Sequence, residues 1–343
     1  MGTHQVTHGP KAAAMNQREL RRSLRTDFDP SLRLRARRAA FRLRQLSHLP
    51  ALLRGGHLKR PIFIIGAPRS GTSLLYAILR TSSHLANWPG EAHEVWEADY
   101  HPALRGWSSN EVRGADLTPA AAAKIRRRFL LTVGTKRRLL DKTPRNSLRV
   151  QFVEELFPDA SYIFLKRDGR ENVNSLINAW RTPRYRTYRL PEPHSIAGVD
   201  PDWWKFVLYP GWREDVRGPL EVVCAKQWVS SNRSAMDASS SIASDRWTEV
   251  KYEDLVRDPL GEVGRILAAI DVPYEDRVRE KARSIGSTPI NVVTAPEPGK
   301  WRRENPREIQ SILWLIEPTM RELGYEADEI GRDKHPHGGS TVL

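Results

Sequence analysis

Cysteine is almost absent from this 343-residue chain. Cys224 is the single example, so no internal disulfide can form and the disulfide-rich secreted scaffolds are excluded. Long apolar runs are missing too: nothing approaches the roughly 18 consecutive apolar residues of a membrane-spanning helix. No N-terminal apolar segment of secretory type is present, which makes a cytoplasmic location the expectation. Met1-Gly2 opens like a myristoylation signal, but Val6 stands where Ser or Thr is required. The histidines are scattered without ligand spacing, so no metal is expected, and Cys224 reads as a small buried hydrophobe. No nucleophile elbow follows any apolar run, which sets aside Ser-His-Asp chemistry.

Acidic residues are scarce at one end only. Lys and Arg number 55 against 41 Asp and Glu, a net charge of +14. Residues 1–60 hold 14 of the basic and 3 of the acidic residues, net +11, which leaves +3 for the other 283. A nucleic-acid partner, the usual reading of such a total, is therefore not expected. Residues 1–17 read as a disordered tail and 18–56 as a basic helical arm. In the arm Leu32, Ala36, Ala39, Leu43 and Leu46 recur at helical spacing among arginines. Ser31 is the candidate N-cap, and Pro50 or Gly55-Gly56 the stop. Such an arm either packs on the main domain or makes peripheral contact with an anionic membrane surface. Residues 57–330 read as one domain and 331–343 as a flexible tail.

With 39% apolar residues and 11 Trp, the chain can bury a sizeable core. Short apolar strands are expected at Pro61–Gly66, Arg138–Leu140, Ser161–Leu165 and Trp247–Tyr252. Helices are expected at Gly71–Leu85, Ser147–Phe157, Gly169–Trp180 and Glu221–Ala243. Short apolar strands with intervening helices imply an α/β fold, a three-layer arrangement with a central parallel sheet flanked by helices.

The most informative segment is Gly66-Ala67-Pro68-Arg69-Ser70-Gly71-Thr72-Ser73. Strand, G-x-x-x-x-G and helix start follow one another as in a phosphate loop, where glycines let the backbone wrap an anion at a helix N-terminus. Nucleoside triphosphatases place Lys after the second Gly, and here that position is Thr72. A cation, Arg69, lies inside the loop instead. The loop suits a smaller anionic group better than a triphosphate. Farther on, Arg167 follows an apolar strand at its carboxyl end, where α/β ligands bind, and Ser175 lies on the next helix. A planar guanidinium with a nearby hydroxyl suits a phosphate. Asp168 reads as that helix's N-cap.

These segments together resemble the sulfotransferases that use 3′-phosphoadenosine 5′-phosphosulfate (PAPS), in the glycan, tyrosyl-protein and bacterial branch. Pro68-Arg69-Ser70-Gly71-Thr72-Ser73 is similar to the family's 5′-phosphosulfate loop. Phe164 to Ser175 is similar to its 3′-phosphate segment, with Arg167 and Ser175 at the phosphate-binding positions. Asp141-Lys142-Thr143-Pro144-Arg145-Asn146 resembles the Lys-Thr-Pro segment between them. Val250-Lys251-Tyr252-Glu253-Asp254-Leu255 and Gly299-Lys300-Trp301-Arg302 resemble segments near the cofactor. Five segments in the family's order span about Pro61 to Arg303.

The resemblance implies a P-loop-like fold and transfer of a sulfuryl group from PAPS to a hydroxyl, releasing 3′-phosphoadenosine 5′-phosphate (PAP) without a metal. It implies cofactor binding by Arg69, Ser70, Gly71, Thr72, Ser73, Arg167, Ser175, Tyr252, Lys300, Trp301 and Arg302, with Trp301 stacking on adenine. The general base would be a Glu downstream of the loop. Trp88-Pro89-Gly90-Glu91-Ala92-His93-Glu94 offers Glu91 first, with Glu94 and His93 as alternatives. Lys142, with Arg69 and more distantly Arg145, would steady the charge that develops on the leaving side.

The acceptor is not named by any motif; a small molecule, a glycan or a lipid would all serve. Trp180 to Trp212 is the most aromatic stretch and reads as a long loop whose aromatic faces either meet an acceptor or pack down on the domain. Two rival readings stand beside the transferase. One is a nucleotide-dependent kinase with a degenerate phosphate loop; the other is a non-catalytic polyanion-binding module that uses the basic arm.

Overall fold

The run Ile62–Ile65 is strand β1, and all four of its side chains are buried. A strand buried on both faces belongs inside a parallel sheet covered by helices. In the computed structural model, which describes residues 45–284 and 299–326, β1 pairs with neighbours on each side. The strands are β2 (Leu85–Asn87), β3 (Arg138–Asp141), β4 (Ser161–Lys166), β5 (Arg186–Arg189), β6 (Trp203–Lys205) and β7 (Trp247–Lys251). Five of them form one parallel sheet in the order β2-β3-β1-β4-β7. The other two, β5 and β6, make a separate antiparallel pair.

Helices follow in chain order: α1 (Leu49–Leu53), α2 (Thr72–Leu79), α3 (His93–Trp96), α4 (Pro119–Val133), α5 (Val150–Leu156) and α6 (Gly169–Arg181). After them come α7 (Leu220–Ser239), α8 (Tyr252–Arg257), α9 (Pro259–Ala269), α10 (Asp276–Arg283), α11 (Trp301–Glu304) and α12 (Pro306–Glu322). Alternation along β1 and β4 divides the core between the two faces of the sheet. Phe63, Ile65, Tyr162 and Phe164 join one apolar cluster, with Trp96, Phe157 and Trp228. Ile62, Ile64, Ile163 and Leu165 join the other, with Ile78, Leu79 and Leu267. The three-layer α/β expectation is therefore met.

Several elements differ from the sequence reading. The helix expected to reach Leu85 stops at Leu79, and Leu85 instead opens β2 at the sheet edge. Among the described residues, helices not expected include α4, α9, α10 and α12, besides the short α3, α8 and α11. Three of these start with Pro in the first turn, after Thr118, Asp258 and Asn305. Thr118 and Asp258 accept N–H bonds from Ala121 (3.2 Å) and Gly261 (3.0 Å) as caps. The basic arm lies outside the described residues as far as position 44. Pro50 does not end the chain's helical course; it sits in the first turn of α1, where its missing N–H costs nothing.

The stretch Trp180–Trp212 is not one irregular loop, because β5 and β6 pair within it. Its aromatics mostly pack inward. Trp180, Tyr188, Trp204, Tyr209 and Trp212 are buried, and Trp180 meets Trp204 edge-on at 5.2 Å between centroids. The idea of open aromatic faces survives only for the half-buried Tyr185, Trp203 and Phe206. Tyr185 and Phe206 stack at 5.5 Å.

One buried charge cluster fixes the loop segments against the sheet. Glu97 receives Arg145 at 2.5 Å and Arg149 at 2.8 Å, together with the Tyr188 hydroxyl at 2.8 Å. Arg145, expected near the reaction, is thus occupied by Glu97 and lies over the Tyr188 ring at 4.5 Å. Breaking a buried pair leaves an uncompensated charge and costs about 3–5 kcal/mol. Glu97→Ala should lower the unfolding free energy by that amount, read from equilibrium denaturant unfolding as a lower midpoint with an unchanged slope.

Candidate functional site

Two turns leave the carboxyl ends of the adjacent parallel strands β1 and β4, and the site lies between them. The first is Gly66–Ser73, ending in the N-terminus of α2. A Cβ on Gly66 would lie 2.5 Å from the Leu165 carbonyl oxygen. Gly71 has a φ of +104°, and a Cβ there would strike the Tyr252 ring at 2.4 Å. Only glycine fits either place. Arg69, at φ +72°, is strained into the left-handed region within the same turn. Ser70 Oγ is buried and finds no hydrogen-bond partner among the described residues.

The second turn carries Arg167 into α6, whose N-cap is Asp168, accepting from the N–H of Arg170 at 2.8 Å. Arg167 Nη1 donates to the Arg69 carbonyl at 3.0 Å, and its guanidinium lies 4.4 Å over the Tyr252 ring. Its Nε is buried without a partner. Arg69 Nε in turn donates to Ser175 Oγ on α6 at 3.3 Å. Arg69 also reaches the Tyr185 hydroxyl at 3.4 Å. The pKa of Arg69 is lowered, chiefly by burial, with the charge of Arg167 adding to the effect. An anion placed here would relieve that excess of positive charge. Sequence reasoning missed Asn172, fully buried one turn before Ser175. With its amide oriented toward complementary partners, it donates to the Pro68 carbonyl at 3.0 Å and accepts from the Ser70 N–H at 3.2 Å.

The third group gathers Glu91, His93, Lys142 and Ser73. Lys142, 4% exposed, sits just past β3 and donates to Ser73 Oγ at 3.1 Å and to Glu91 Oε1 in a short ion pair. Glu91 Oε2 accepts from His93 Nε2 at 2.7 Å. Burial disfavours the Glu91 carboxylate, but the His93 hydrogen bond and the Lys142 charge outweigh it and hold its pKa far below the usual range. Burial, helped by Arg145, lowers the pKa of His93, so the ring is neutral and its Nε2 carries the donated proton. Its Nδ1 is buried without a partner. Glu94 lies exposed on α3, and its carbonyl takes Arg128 Nη1 at 2.6 Å.

Beneath this group is Asp141, the last residue of β3 and another that motif reading passed over as a site residue. It is buried and accepts from Trp96 Nε1 (3.1 Å), Asn146 Nδ2 (3.2 Å) and Thr143 Oγ1 (3.2 Å). Thr143 Oγ1 then accepts from the N–H of Ala92, the residue between Glu91 and His93. The chain from Asp141 to Ala92 sets where Glu91 stands.

Tyr252 closes the site by packing on Gly71 and under Arg167. Lys300 is 9% exposed and faces Glu304 Oε1 at 3.4 Å. Trp301 is 4% exposed, packs with Ile309 and Ile312, and has the Arg302 guanidinium 4.6 Å over its ring. A base stacked on that face would have to displace Arg302. Thr72, at the position of the absent lysine, is buried at the start of α2. Cys224 is buried and free on α7.

The family model described as Sulfotransferase family matches residues 61–276, well over half of the chain. Protein-tyrosine sulfotransferase A of Caenorhabditis elegans is 25% identical over 291 residues, covering 77% of this chain and 67% of its own length. Protein-tyrosine sulfotransferase 1 of Danio rerio is 26% identical over 325 residues, covering 82% of this chain and 79% of its own. Among solved structures, the sulfotransferase STF9 from Mycobacterium avium has the same fold, with a TM-score of 0.53 at 15% identity, covering 81% and 80% of the two chains.

Burial raises the Asp141 pKa to about 7, against about 3.9 for an unfolded Asp. The fold therefore holds a proton that the unfolded chain has lost. Stability from this group is fully present below about pH 4 and disappears as pH rises through about 7. Asp141→Asn should remove that fall. Thermal unfolding at about pH 5 and about pH 8 should show the variant gaining on the wild type at the higher value.

Proposed function

Because the chain belongs to the sulfotransferase family, we propose that it moves a sulfuryl group from PAPS to a hydroxyl of a small-molecule, glycan or lipid acceptor. The observation that carries the reading is the meeting of Ser73, Lys142 and Glu91: the phosphate loop and a carboxylate share one ammonium. The residues fit the donor's two anionic ends. Gly66 and Gly71 leave a cradle that a Cβ would fill, and Ser70 Oγ and Arg167 Nε are buried without partners among the described residues. The backbone of Arg69–Ser73 and the N-terminus of α2 would hold the 5′ end, and Arg167 and Ser175 the 3′-phosphate. PAPS, when bound, supplies an activated sulfuryl group on a phosphate leaving group.

This chain's residues do the rest. Glu91 is the base. Its carboxylate is ionised, 35% exposed to an incoming hydroxyl, and turned by His93 on one oxygen. His93 is less suited, since its Nε2 is committed to Glu91 and its Nδ1 is buried. Lys142 cannot serve the carboxylate and a developing anion at once. As its ammonium is drawn toward the leaving side, Glu91 loses its cation and its proton affinity rises. The pair thus keeps the base quiet until the donor is present. Surface contact by the basic arm with an anionic membrane, and a cytoplasmic location, go with this reading.

Calorimetry with PAP in the absence of Mg²⁺ should show binding on the order of micromolar; no binding by the intact chain would refute the reading. Hydrogen bonds to charged groups contribute about 1.5–3 kcal/mol, so Arg167→Ala should cut the preference for PAP over adenosine 5′-phosphate by about 10- to 100-fold. Glu91→Gln should bind PAP normally and yet transfer about 10²–10⁴-fold more slowly. The acceptor itself is best sought by mass spectrometry of an extract incubated with PAPS and enzyme.

A further inference from the structure

Helix α6 presents more than Ser175 to the donor site. Asn174 and Asn178, which flank Ser175, both donate to Glu304 Oε2 on α11, at 2.9 and 2.6 Å. Asn305, fully buried, donates to the side-chain oxygens of the same two residues at 2.6 and 3.1 Å. Its own oxygen accepts from Arg181 Nη1 at 2.7 Å. Four carboxamide contacts therefore converge on one turn of chain, Glu304-Asn305. Adhesion alone does not require them, because Ile309, Ile312 and Ile316 already bury the apolar face of α12. The consequence lies at the other carboxylate oxygen. With Oε2 held by two amides, Oε1 of Glu304 is fixed toward the Lys300 ammonium at 3.4 Å, and Lys300 is itself buried. A buried polar network that is fully paired is rigid, and rigidity is what a binding cation on a long flexible stem otherwise lacks.

We propose that Glu304 is a positioning residue for the 3′-phosphate: locked to Asn174 and Asn178, it holds the Lys300 ammonium on the α6 side of the donor site, where Glu171 meets the backbone of Gly299 and Lys300 and faces Arg167, so that Lys300 joins Arg167 as a second cation. The proposal rests on the PAPS reading above. Glu304 itself touches no phosphate. Its effect passes through Lys300 and is confined to ligands that carry the 3′ group.

The test compares PAP with adenosine 5′-phosphate by calorimetry on the full-length chain. Glu304→Gln keeps an oxygen for the two asparagines while removing the charge that holds Lys300. It should weaken PAP by about 10-fold and change adenosine 5′-phosphate less than about two-fold. Lys300→Ala should have the same signature. The double variant should be no worse than Lys300→Ala alone, since both act through one contact. Equal losses for the two nucleotides, an unchanged or tightened PAP affinity in Glu304→Gln, or additive effects in the double variant would each overturn it. Failure of the wild type to bind PAP would instead overturn the parent reading. Thermal unfolding of each variant guards against general loss of fold, and Glu304→Asp serves as a second variant. Its shorter side chain keeps the charge, so it should retain more of the preference for PAP than Glu304→Gln; a larger loss in Glu304→Asp would also count against the proposal.

Discussion

Everything in the site depends on a cross-tie between two turns that leave neighbouring parallel strands. β1 and β4 are hydrogen-bonded side by side, so the loop after one and the helix after the other are forced together at the carboxyl end of the sheet. Three contacts then join them: Arg69 to Ser175, Arg167 to the Arg69 carbonyl, and Asn172 to the backbone of Pro68 and Ser70. Each comes from a different residue of the loop or its partner. A site built across elements of a rigid sheet is held more closely than one built on a loop alone. The strain at Arg69 and the tight fit at Gly66 and Gly71 are tolerated because the cross-tie over-determines the turn.

The second constraint is electrostatic. Arg69, Arg167 and Lys142 are crowded into partly buried space, and burial penalises charge. Lys142 is neutralised by Glu91, whereas Arg69 reaches the Ser175 and Tyr185 hydroxyls and Arg167 lies over the Tyr252 ring within the field of Glu171. Burial at the loop lowers the pKa of Arg69, and the charge of Arg167 adds to the effect, so an anion placed there would be favoured. Away from the loop the same chain buries charge in the opposite manner: Glu97 is closed off by Arg145 and Arg149. The first arrangement invites a ligand, and the second only fixes structure.

How far the sequence could be read depended on whether local rules applied. β1, β4 and the phosphate loop were visible because a buried parallel strand is a continuous apolar run and its turn needs glycine at set places. Asp168 as a cap was likewise a local matter. By contrast β2, only three residues long, has no periodicity to detect and exists because β3 offers it an edge. α4, α9 and α12 each open with a polar residue followed by proline, a local start signal weaker than the apolar runs of the sheet. The aromatic stretch misled for a further reason: tryptophans separated by prolines look like an open surface until β5 and β6 fold them onto α6 and α7.

What the sequence determined by itself was the chemistry within reach: the two glycines, the loop arginine without a lysine after it, Arg167 at a strand end, and acids at 91 and 94. These follow from residue type and local spacing, which tertiary contacts do not alter. Only the tertiary structure decided which of them act together. Glu91 rather than Glu94 meets Lys142, because the buried chain from Asp141 through Thr143 to Ala92 turns that carboxylate inward. Arg145 is held by Glu97, 48 residues away in sequence. Trp301 was turned into the core by α12. Such choices are made by side chains that are distant in sequence and adjacent in space, where burial makes each unpaired charge costly and each paired one firm.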